Sequence, residues 1–244
     1  MKRHIPNLLT LGNLLCGTIA TIFAVKGDFV GAAILVFTGI VFDFFDGFAA
    51  RMLNVQGELG KQLDSLADMV TSGVVPGIVM LQLLISALNV DAASYFGIDM
   101  YGAIGSNLPY IGLFLTLGAC YRLAKFNIDT RQSDSFIGLP TPAMTLFVIF
   151  LPIIAEYSNQ LFFIDLIKNQ YFLIVITLLL TFLMNAEIPL FALKFKTFGL
   201  KENALKYIFL LLAIILLMVL KFVAVPLIII LYVGLSVFNN LKKV

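Results

Sequence analysis

Apolar blocks long enough to cross a membrane follow one another along almost the whole chain. A helix rises about 1.5 Å per residue, so about 20 apolar residues span the hydrocarbon of a bilayer. Such blocks occur near 9–27, 29–52, 62–87, 108–126, 139–157, 169–185, 204–221 and 223–240. We therefore predict an all-α polytopic membrane protein with about eight spans, the last two forming a hairpin split at Lys221–Pro226.

The composition agrees with a body that faces lipid rather than water. Hydrophobic residues make up 61% of the 244 residues and charged residues only 12%, whereas soluble domains carry about 25% charged residues. Neither a soluble domain nor a low-complexity linker separates the blocks. We predict a single membrane-embedded domain over 1–244, with a core over about 1–185 and an additional helical hairpin over about 204–240.

The basic residues are distributed unevenly between the two sides that these spans would create. Thirteen of the 16 lysines and arginines fall on one side, which is also the side of both termini. Because basic residues are enriched in cytoplasmic loops, the termini are predicted to be cytoplasmic, in a prokaryotic inner membrane. No basic patch is interleaved with exposed aromatic residues, which argues against nucleic-acid binding.

Four aspartates lie within two of the predicted membrane helices. Asp43 and Asp46 are spaced i, i+3, and Asp64 and Asp68 are spaced i, i+4, so each pair lies on one helix face. The short connection at 54–58 makes the two helices antiparallel neighbours, and both pairs then meet near one membrane boundary. An aspartate at the centre of a membrane helix costs at least about 2.5–3.5 kcal/mol on insertion scales. Clustered carboxylates also repel one another unless cations lie between them.

Divalent cations would relieve both costs. Carboxylate oxygens are hard ligands that suit Mg²⁺ or Mn²⁺, and a pair of ions would balance the four carboxylates and leave positions for phosphate oxygens. Gly47, Ala50 and Gly60 lie one turn from the aspartates and leave room for a ligand, and Arg51 is a natural partner for phosphate. A cation-coupled transporter also holds carboxylates inside its bundle, so these residues alone leave an enzyme and a transporter open.

The same stretch resembles the signature of the CDP-alcohol phosphotransferase family, Asp-x2-Asp-Gly-x2-Ala-Arg-x8-Gly-x3-Asp-x3-Asp. Every fixed position is matched, by Asp43, Asp46, Gly47, Ala50, Arg51, Gly60, Asp64 and Asp68. The resemblance implies a six-helix membrane core, a homodimer, and transfer of a phosphatidyl group from CDP-diacylglycerol to a small alcohol.

The roles of the matched residues follow from this resemblance. The four aspartates would hold the metal, Mg²⁺ or Mn²⁺ as a pair of ions, and Asp68 would also act as general base on the acceptor hydroxyl. The CDP-diacylglycerol would be bordered by small, polar and basic residues of the first three spans, namely Thr10, Asn13, Gly47, Ala50, Arg51 and Gly60.

Three further segments, 5–17, 121–127 and 136–143, resemble the members of this family that use L-serine as acceptor. A serine carboxylate would need a cationic partner, and the candidate serine ligands are Arg122, Lys125, Asn127, Arg131 and Thr141. Taken alone, Arg122 and Lys125 are equally typical of cations that anchor the end of a membrane helix. Glycerol 3-phosphate or an inositol phosphate stays open as acceptor, although a phosphorylated acceptor would need a denser basic pocket than Arg122 and Lys125 supply.

Overall fold

The computed structural model describes residues 4–88, 107–129, 136–191, 199 and 203–241, and most of these residues are helical. The α-helices are α1 His4–Val25, α2 Phe29–Met52, α3 Glu58–Asp68, α4 Val75–Ala87, α5 Phe114–Ile128, α6 Thr141–Tyr157, α7 Leu161–Lys168, α8 Gln170–Asn185, α9 Ala204–Leu220 and α10 Ala224–Leu241. A π-helical segment, Met69–Val74, joins α3 to α4, and 3-10 turns at Leu108–Leu113 and Lys221–Val223 precede α5 and α10. Each predicted apolar block is therefore helical over most of its length.

Several of these helices are long and apolar enough to cross a membrane. Within the described residues, four stretches meet that requirement, His4–Val25, Phe29–Met52, Glu58–Ala87 and Ala204–Asn240, and α7 with α8 makes a fifth when the bent pair is counted as one span. The chain is thus an all-α polytopic membrane protein, as predicted. The number of spans, about eight from the apolar blocks, stays a prediction.

The stretch that contains α9 and α10 folds back on itself. Lys221 has a φ of 49°, a left-handed conformation that interrupts the helix. The ring centroids of Phe209 and Tyr232 lie 5.7 Å apart, whereas a straight helix would separate these residues by about 35 Å. The two helices therefore form a hairpin that turns at Lys221. The division of the chain into a core and this hairpin stays a prediction.

Residues 158–168 are a connection in the predicted spans, but most of them form the short helix α7. It meets α8 at a bend of 79°. Leu161 and Phe162 are exposed, whereas Ile167 is buried against the bundle. The apolar run Leu161–Ile164 is too short to cross a bilayer, so the periodicity of long blocks gives no signal for this helix.

The π-helical segment widens the third span directly before Pro76. Proline lacks an N–H, and its ring crowds the carbonyl group four residues earlier, which belongs to Ser72. Thr145 Oγ1 lies 2.9 Å from Ser72 O and from Thr141 O, and Thr116 Oγ1 donates to Gly73 O at 2.9 Å. Because backbone groups inside a membrane must be satisfied within the protein, α5 and α6 hold this segment in place.

The helices run in alternate directions, which brings particular helix ends together. The start of α1, the end of α2 and the start of α3 line one cavity with Phe126, near the end of α5. At the opposite end of α2, Asp28 caps the helix by accepting a hydrogen bond from the Gly31 N–H at 2.8 Å. Both aspartate pairs of the signature therefore lie at one end of the bundle. The assignment of this end to the cytoplasm stays a prediction.

A short ladder ties the start of α6 to the end of α8. Phe136 pairs with Leu190, and Ile137 pairs with Pro189, in an antiparallel ladder of two residues on each strand, β1 Phe136–Ile137 and β2 Pro189–Leu190. Gly138 has a φ of 75°, and a Cβ at this position would collide with the backbone oxygen of Met184. Only glycine combines this φ with so close an approach, which accounts for Gly138 in the segment 136–143.

Candidate active site

Three of the four signature aspartates form a compact cluster where α2 and α3 meet. One carboxylate oxygen each from Asp43, Asp46 and Asp64 lies within 4.8 Å of the others. Asp43 and Asp46 project from the same face of α2, and the tight turn after Met52 returns the chain so that Asp64 of α3 faces them. The predicted juxtaposition of the two helices is therefore present in the fold.

The donor set of this cluster fits a divalent cation. Oxygen ligands on opposite sides of Mg²⁺ or a similar hard cation are about 4–5 Å apart, which matches the 4.8 Å spread of the three carboxylates. Without a cation these carboxylates would repel one another in a half-buried position. The cluster could thus hold a metal ion.

Asp46 is the most buried of the three, and Thr10 fixes its carboxylate. Asp46 is 6% exposed, and the Thr10 hydroxyl donates to its Oδ2 at 2.5 Å and lies 3.1 Å from Pro6 O. A hydroxyl group has a single proton to donate, and the shorter contact assigns it to the carboxylate. Thr10, predicted to border the nucleotide, therefore also orients a residue of the cluster.

Asp68 lies outside the cluster of three, beside it, and has its own support. It is close enough to repel Asp43 and Asp64 electrostatically. Asn13 Nδ2 donates to Asp68 Oδ1 at 3.2 Å. Thr71 Oγ1 in turn lies 2.8 Å from Asn13 Oδ1 and 3.1 Å from Asn13 O. Because an ionised carboxylate only accepts hydrogen bonds, Asp68 requires the amide nitrogen of Asn13 on its side, and the amide oxygen then faces the Thr71 hydroxyl.

Two glycines make this arrangement of α1, α2 and the π-helical segment possible. A Cβ at Gly17 would collide with the side chain and backbone of Thr71, and a Cβ at Gly39 would lie 2.8 Å from Asn13 Oδ1. Asn13 and Thr71 are both fully buried. Asn13, predicted as a ligand of CDP-diacylglycerol, is thus placed behind Asp68 rather than in the cavity wall.

A cavity of about 760 Å³ opens next to the aspartate cluster. Its size falls in the range of about 300–1,000 Å³ that is usual for small-molecule sites. Its wall contains most of the residues predicted to border the nucleotide, together with the cluster: Thr10, Asp43, Asp46, Gly47, Ala50, Arg51, Gly60 and Asp64. The Arg51 guanidinium lies above Gly47, with Nη1 at 3.5 Å from the position of a Cβ there. The small residues keep the cavity open, and Arg51 gives its wall a positive charge.

Arg122, the leading candidate for binding the acceptor, is buried on α5, outside the two helices that carry the aspartates. It is 8% exposed, and its Cζ lies 6.0 Å from the centroid of the Phe126 ring. The guanidinium is within electrostatic range of Asp68. Within the described residues, Arg122 Nε has no hydrogen-bond partner. A buried cation near the cluster is therefore available to an anionic ligand.

The other candidate acceptor residues already have partners or lie elsewhere. Lys125 Nζ pairs with Glu187 Oε1 at 3.1 Å. The Asn127 amide exchanges hydrogen bonds with Ser65 Oγ at 2.9 and 3.2 Å. Thr141 is 1% exposed at the start of α6, and Arg131 lies outside the described residues. Serine binding by these four residues stays a prediction, and for Lys125 and Asn127 the structure shows contacts that join neighbouring elements.

Four residues that contribute to this region were not among the predicted site residues. Lys61 and Phe126 line the cavity, Thr71 supports Asn13, and Asn185 lies beside Arg122. Lys61 could have been found, because it lies three residues before Asp64 on the same helix face. Thr71 and Asn185 are polar residues in apolar blocks, which marks them as unusual but does not give their partners.

Comparison with known proteins agrees with the geometry. A family model described as CDP-alcohol phosphatidyltransferase matches residues 3–238. The CDP-diacylglycerol–serine O-phosphatidyltransferase of Bacillus subtilis is 35% identical over 152 residues, which cover 61% of this chain and 75% of that one. The enzyme of the same name from Helicobacter pylori (strain 26695) is 34% identical over 176 residues, covering 71% and 66%. An archaetidylserine synthase from Methanothermobacter thermautotrophicus is 29% identical over 158 residues, covering 64% and 60%.

The family match covers nearly the whole chain, and three of the four signature aspartates, Asp43, Asp46 and Asp64, line a cavity of suitable size. The family match decides between the enzyme and the transporter, which the aspartates alone left open. The chain belongs to the CDP-alcohol phosphatidyltransferase family.

Proposed function

We propose that this protein transfers the phosphatidyl group of CDP-diacylglycerol to L-serine, giving phosphatidylserine and CMP. The observation that carries the proposal is the cluster of Asp43, Asp46 and Asp64, which lies in the wall of a cavity that is also lined by Gly47, Ala50, Arg51 and Gly60. The choice of serine is supported by relatives named for that acceptor and by the buried guanidinium of Arg122, whose Nε has no hydrogen-bond partner among the described residues.

The cluster is proposed to hold Mg²⁺ or Mn²⁺ as a pair of ions, with Asp68 as the fourth carboxylate. A bound divalent cation supplies positive charge that offsets the charge of the diphosphate and of the departing CMP. Arg51 adds a charge-assisted hydrogen bond to a phosphate oxygen. Gly47, Ala50 and Gly60 leave space for the nucleotide to approach the helix backbones.

Asp68 is proposed to be the general base. The serine hydroxyl oxygen forms a bond to the phosphorus that carries the diacylglycerol, the bond from that phosphorus to the CMP oxygen breaks, and the hydroxyl proton passes to Asp68. The hydrogen bond from Asn13 holds the Asp68 carboxylate, and Thr71 holds Asn13. A base in a fixed orientation meets the geometric requirement of proton transfer.

The site is proposed to face the cytoplasm, as the distribution of basic residues predicts. The acyl chains of CDP-diacylglycerol would then remain in the lipid while serine enters from water and CMP returns to it. Family resemblance also supports a homodimer, which the mass of the purified protein in detergent would test.

The proposed function is tested with purified protein in detergent, CDP-diacylglycerol, Mn²⁺ or Mg²⁺ and a panel of acceptors. L-Serine, glycerol 3-phosphate, inositol and inositol phosphate are supplied separately, and CMP release is measured. We expect release that depends on serine. Release with glycerol 3-phosphate or an inositol compound, and none with serine, would contradict the choice of acceptor.

Replacing Arg122 by Ala should weaken serine binding without changing the affinity for CDP-diacylglycerol. A charge-assisted hydrogen bond contributes about 1.5–3 kcal/mol, so the KM for serine should rise by about 10–100-fold. The KM for CDP-diacylglycerol should stay constant, because the aspartate cluster binds the diphosphate. Lys168→Ala, an exposed cation at the far end of α7, is the control. An unchanged KM for serine would limit Arg122 to a structural role.

Thr71→Val tests the support of Asp68. Valine keeps the shape of threonine but removes the hydroxyl that fixes Asn13, so kcat should fall by about 10–100-fold, the usual range for losing a residue that orients a site. Thr71→Ser should keep most of the activity. Thr177→Val is the control, since the buried Thr177 hydroxyl donates to Leu173 O in its own helix. Equal losses for Thr71→Val and Thr71→Ser would show that packing, rather than the hydrogen bond, is what matters.

A further inference from the structure

Among the described residues, two buried polar atoms without a hydrogen-bond partner belong to side chains that line the same small pocket. They are Arg122 Nε and Asn185 Oδ1, the former a donor and the latter an acceptor. Both residues line a pocket of about 10 Å³, whose other lining residues include the charged Lys125 and Asp129 as well as Phe126, Ile137, Met184 and Ala186. Buried polar atoms are nearly always hydrogen-bonded, so two such atoms at one place indicate a missing water or ligand.

Asn185 is held so that its amide oxygen must point away from its known partners. Its Nδ2 donates to Gly118 O at 3.2 Å and to Thr181 O at 3.0 Å. Since both partners are carbonyl groups, they require the amide nitrogen on that side. Gly118 lies one turn before Arg122 on α5, and a Cβ there would lie 3.3 Å from Asn185 Nδ2. The end of α8 is thus fixed against α5, and the Asn185 oxygen has no hydrogen-bond partner in the part of the chain that the structure describes.

One cationic donor and one neutral acceptor together match the two charged groups of an α-amino acid. A guanidinium binds a carboxylate, and an amide oxygen accepts a hydrogen bond from an ammonium group. We propose that Asn185 is a specificity-determining residue that binds the ammonium group of the acceptor amino acid while Arg122 binds its carboxylate. The inference rests on the proposed function and adds to it a residue that selects amino acids over phosphorylated alcohols.

The position of the pocket relative to the cavity agrees with this assignment. Phe126 lines both the pocket and the large cavity, and Arg122 lies against its ring. A volume of about 10 Å³ admits one water-sized group. The ammonium group would therefore occupy the pocket, and the hydroxymethyl group would lie on the side of Arg122 that faces Asp68.

The test compares Asn185→Ala with wild-type protein on ligands that lack one charged group. L-Serine carries both groups, 3-hydroxypropanoate lacks the ammonium group, and ethanolamine lacks the carboxylate. Each is measured as an acceptor and as a competitor of serine. For Asn185→Ala we expect the KM for serine to rise by about 10–100-fold. The apparent affinity for 3-hydroxypropanoate should not change, because that molecule has no group for Asn185 to bind.

Asn169→Ala is the matched control, since Asn169 caps the opposite end of the same helix by accepting hydrogen bonds from Tyr171 N and Phe172 N. It should lower thermal stability and leave the KM for serine unchanged. An unchanged KM for serine in Asn185→Ala, or equal losses of affinity for serine and 3-hydroxypropanoate, would overturn the proposal and leave a bridging water as the occupant.

If Asn185→Ala does not fold, wild-type protein alone still tests whether the site recognises the ammonium group. Recognition of the ammonium group requires 3-hydroxypropanoate to bind at least about 10-fold more weakly than serine, and similar affinities would overturn the proposal. Failure of the proposed function has a different signature, because wild-type protein would then release no CMP with serine, and the assignment of Asn185 would fall with it.

Discussion

Asp43→Asn is expected to lower the kcat/KM of phosphatidyl transfer by about 1,000-fold or more. Charge stabilisation by a bound metal contributes several kcal/mol to catalysis, and a loss of about 4 kcal/mol corresponds to about a 1,000-fold decrease in rate. Asparagine keeps the size of the side chain and removes one negative charge from the cluster of Asp43, Asp46 and Asp64. The measurement is initial-rate CMP release at several concentrations of CDP-diacylglycerol.

Stability separates a catalytic defect from a folding defect in this variant. The cluster brings three carboxylates within 4.8 Å of one another, so removing one of them relieves repulsion when no metal is bound. The Tm of Asp43→Asn without metal should therefore equal or exceed that of wild-type protein. Asp165→Asn, the same change at an exposed position of α7, should keep full activity. Wild-type kinetics in Asp43→Asn would exclude Asp43 as a metal ligand.

Removal of divalent metal is expected to lower activity by at least about 100-fold, and added Mn²⁺ or Mg²⁺ should restore it. The same ions should stabilise the folded protein. A ligand present at 100 times its Kd adds about 2.7 kcal/mol to the free energy of unfolding, so the Tm of wild-type protein should rise with metal concentration. The Tm of Asp43→Asn should respond much less. Full activity in excess chelator would rule out the metal site.

The part of the site that could be predicted from the sequence is the part built by neighbouring segments. The i, i+3 and i, i+4 spacings place each aspartate pair on one helix face, and the short connection at 54–58 makes the two helices antiparallel. The positions of Asp43, Asp46 and Asp64 follow from these local rules. The cavity residues Gly47, Ala50 and Gly60 lie on the same two helices and were found for the same reason.

Contacts between distant segments could not be predicted in this way. Asn13, Asp68 and Thr71 meet because Gly17 and Gly39 allow three helical segments to approach closely, and no periodicity reports such an approach. Likewise, Asn185 reaches the carbonyl of Gly118 across 67 residues of chain. The π-helical segment before Pro76 depends on hydroxyl groups from α5 and α6, and α7 is too short to give a periodic signal.

Some features of the fold could be predicted from the sequence and others could not. The bounds of α2, Phe29–Met52, agree with the predicted block, because a long apolar helix between a capping aspartate and a turn has clear sequence signals. The number of spans is harder to fix, since α6 has 17 residues and α8 has 16, both below the length of about 20 that crosses a bilayer alone.

The central claim, that the signature aspartates hold the metal where the nucleotide binds, is tested most directly by crystals grown with Mn²⁺ and CDP. An anomalous difference map collected at the manganese absorption edge gives the position of each ion. We predict a peak between the carboxylates of Asp43, Asp46 and Asp64, within about 2.0–2.3 Å of their oxygens, and diphosphate density beside it. Bound CDP in the cavity with no anomalous peak at these carboxylates would contradict the account.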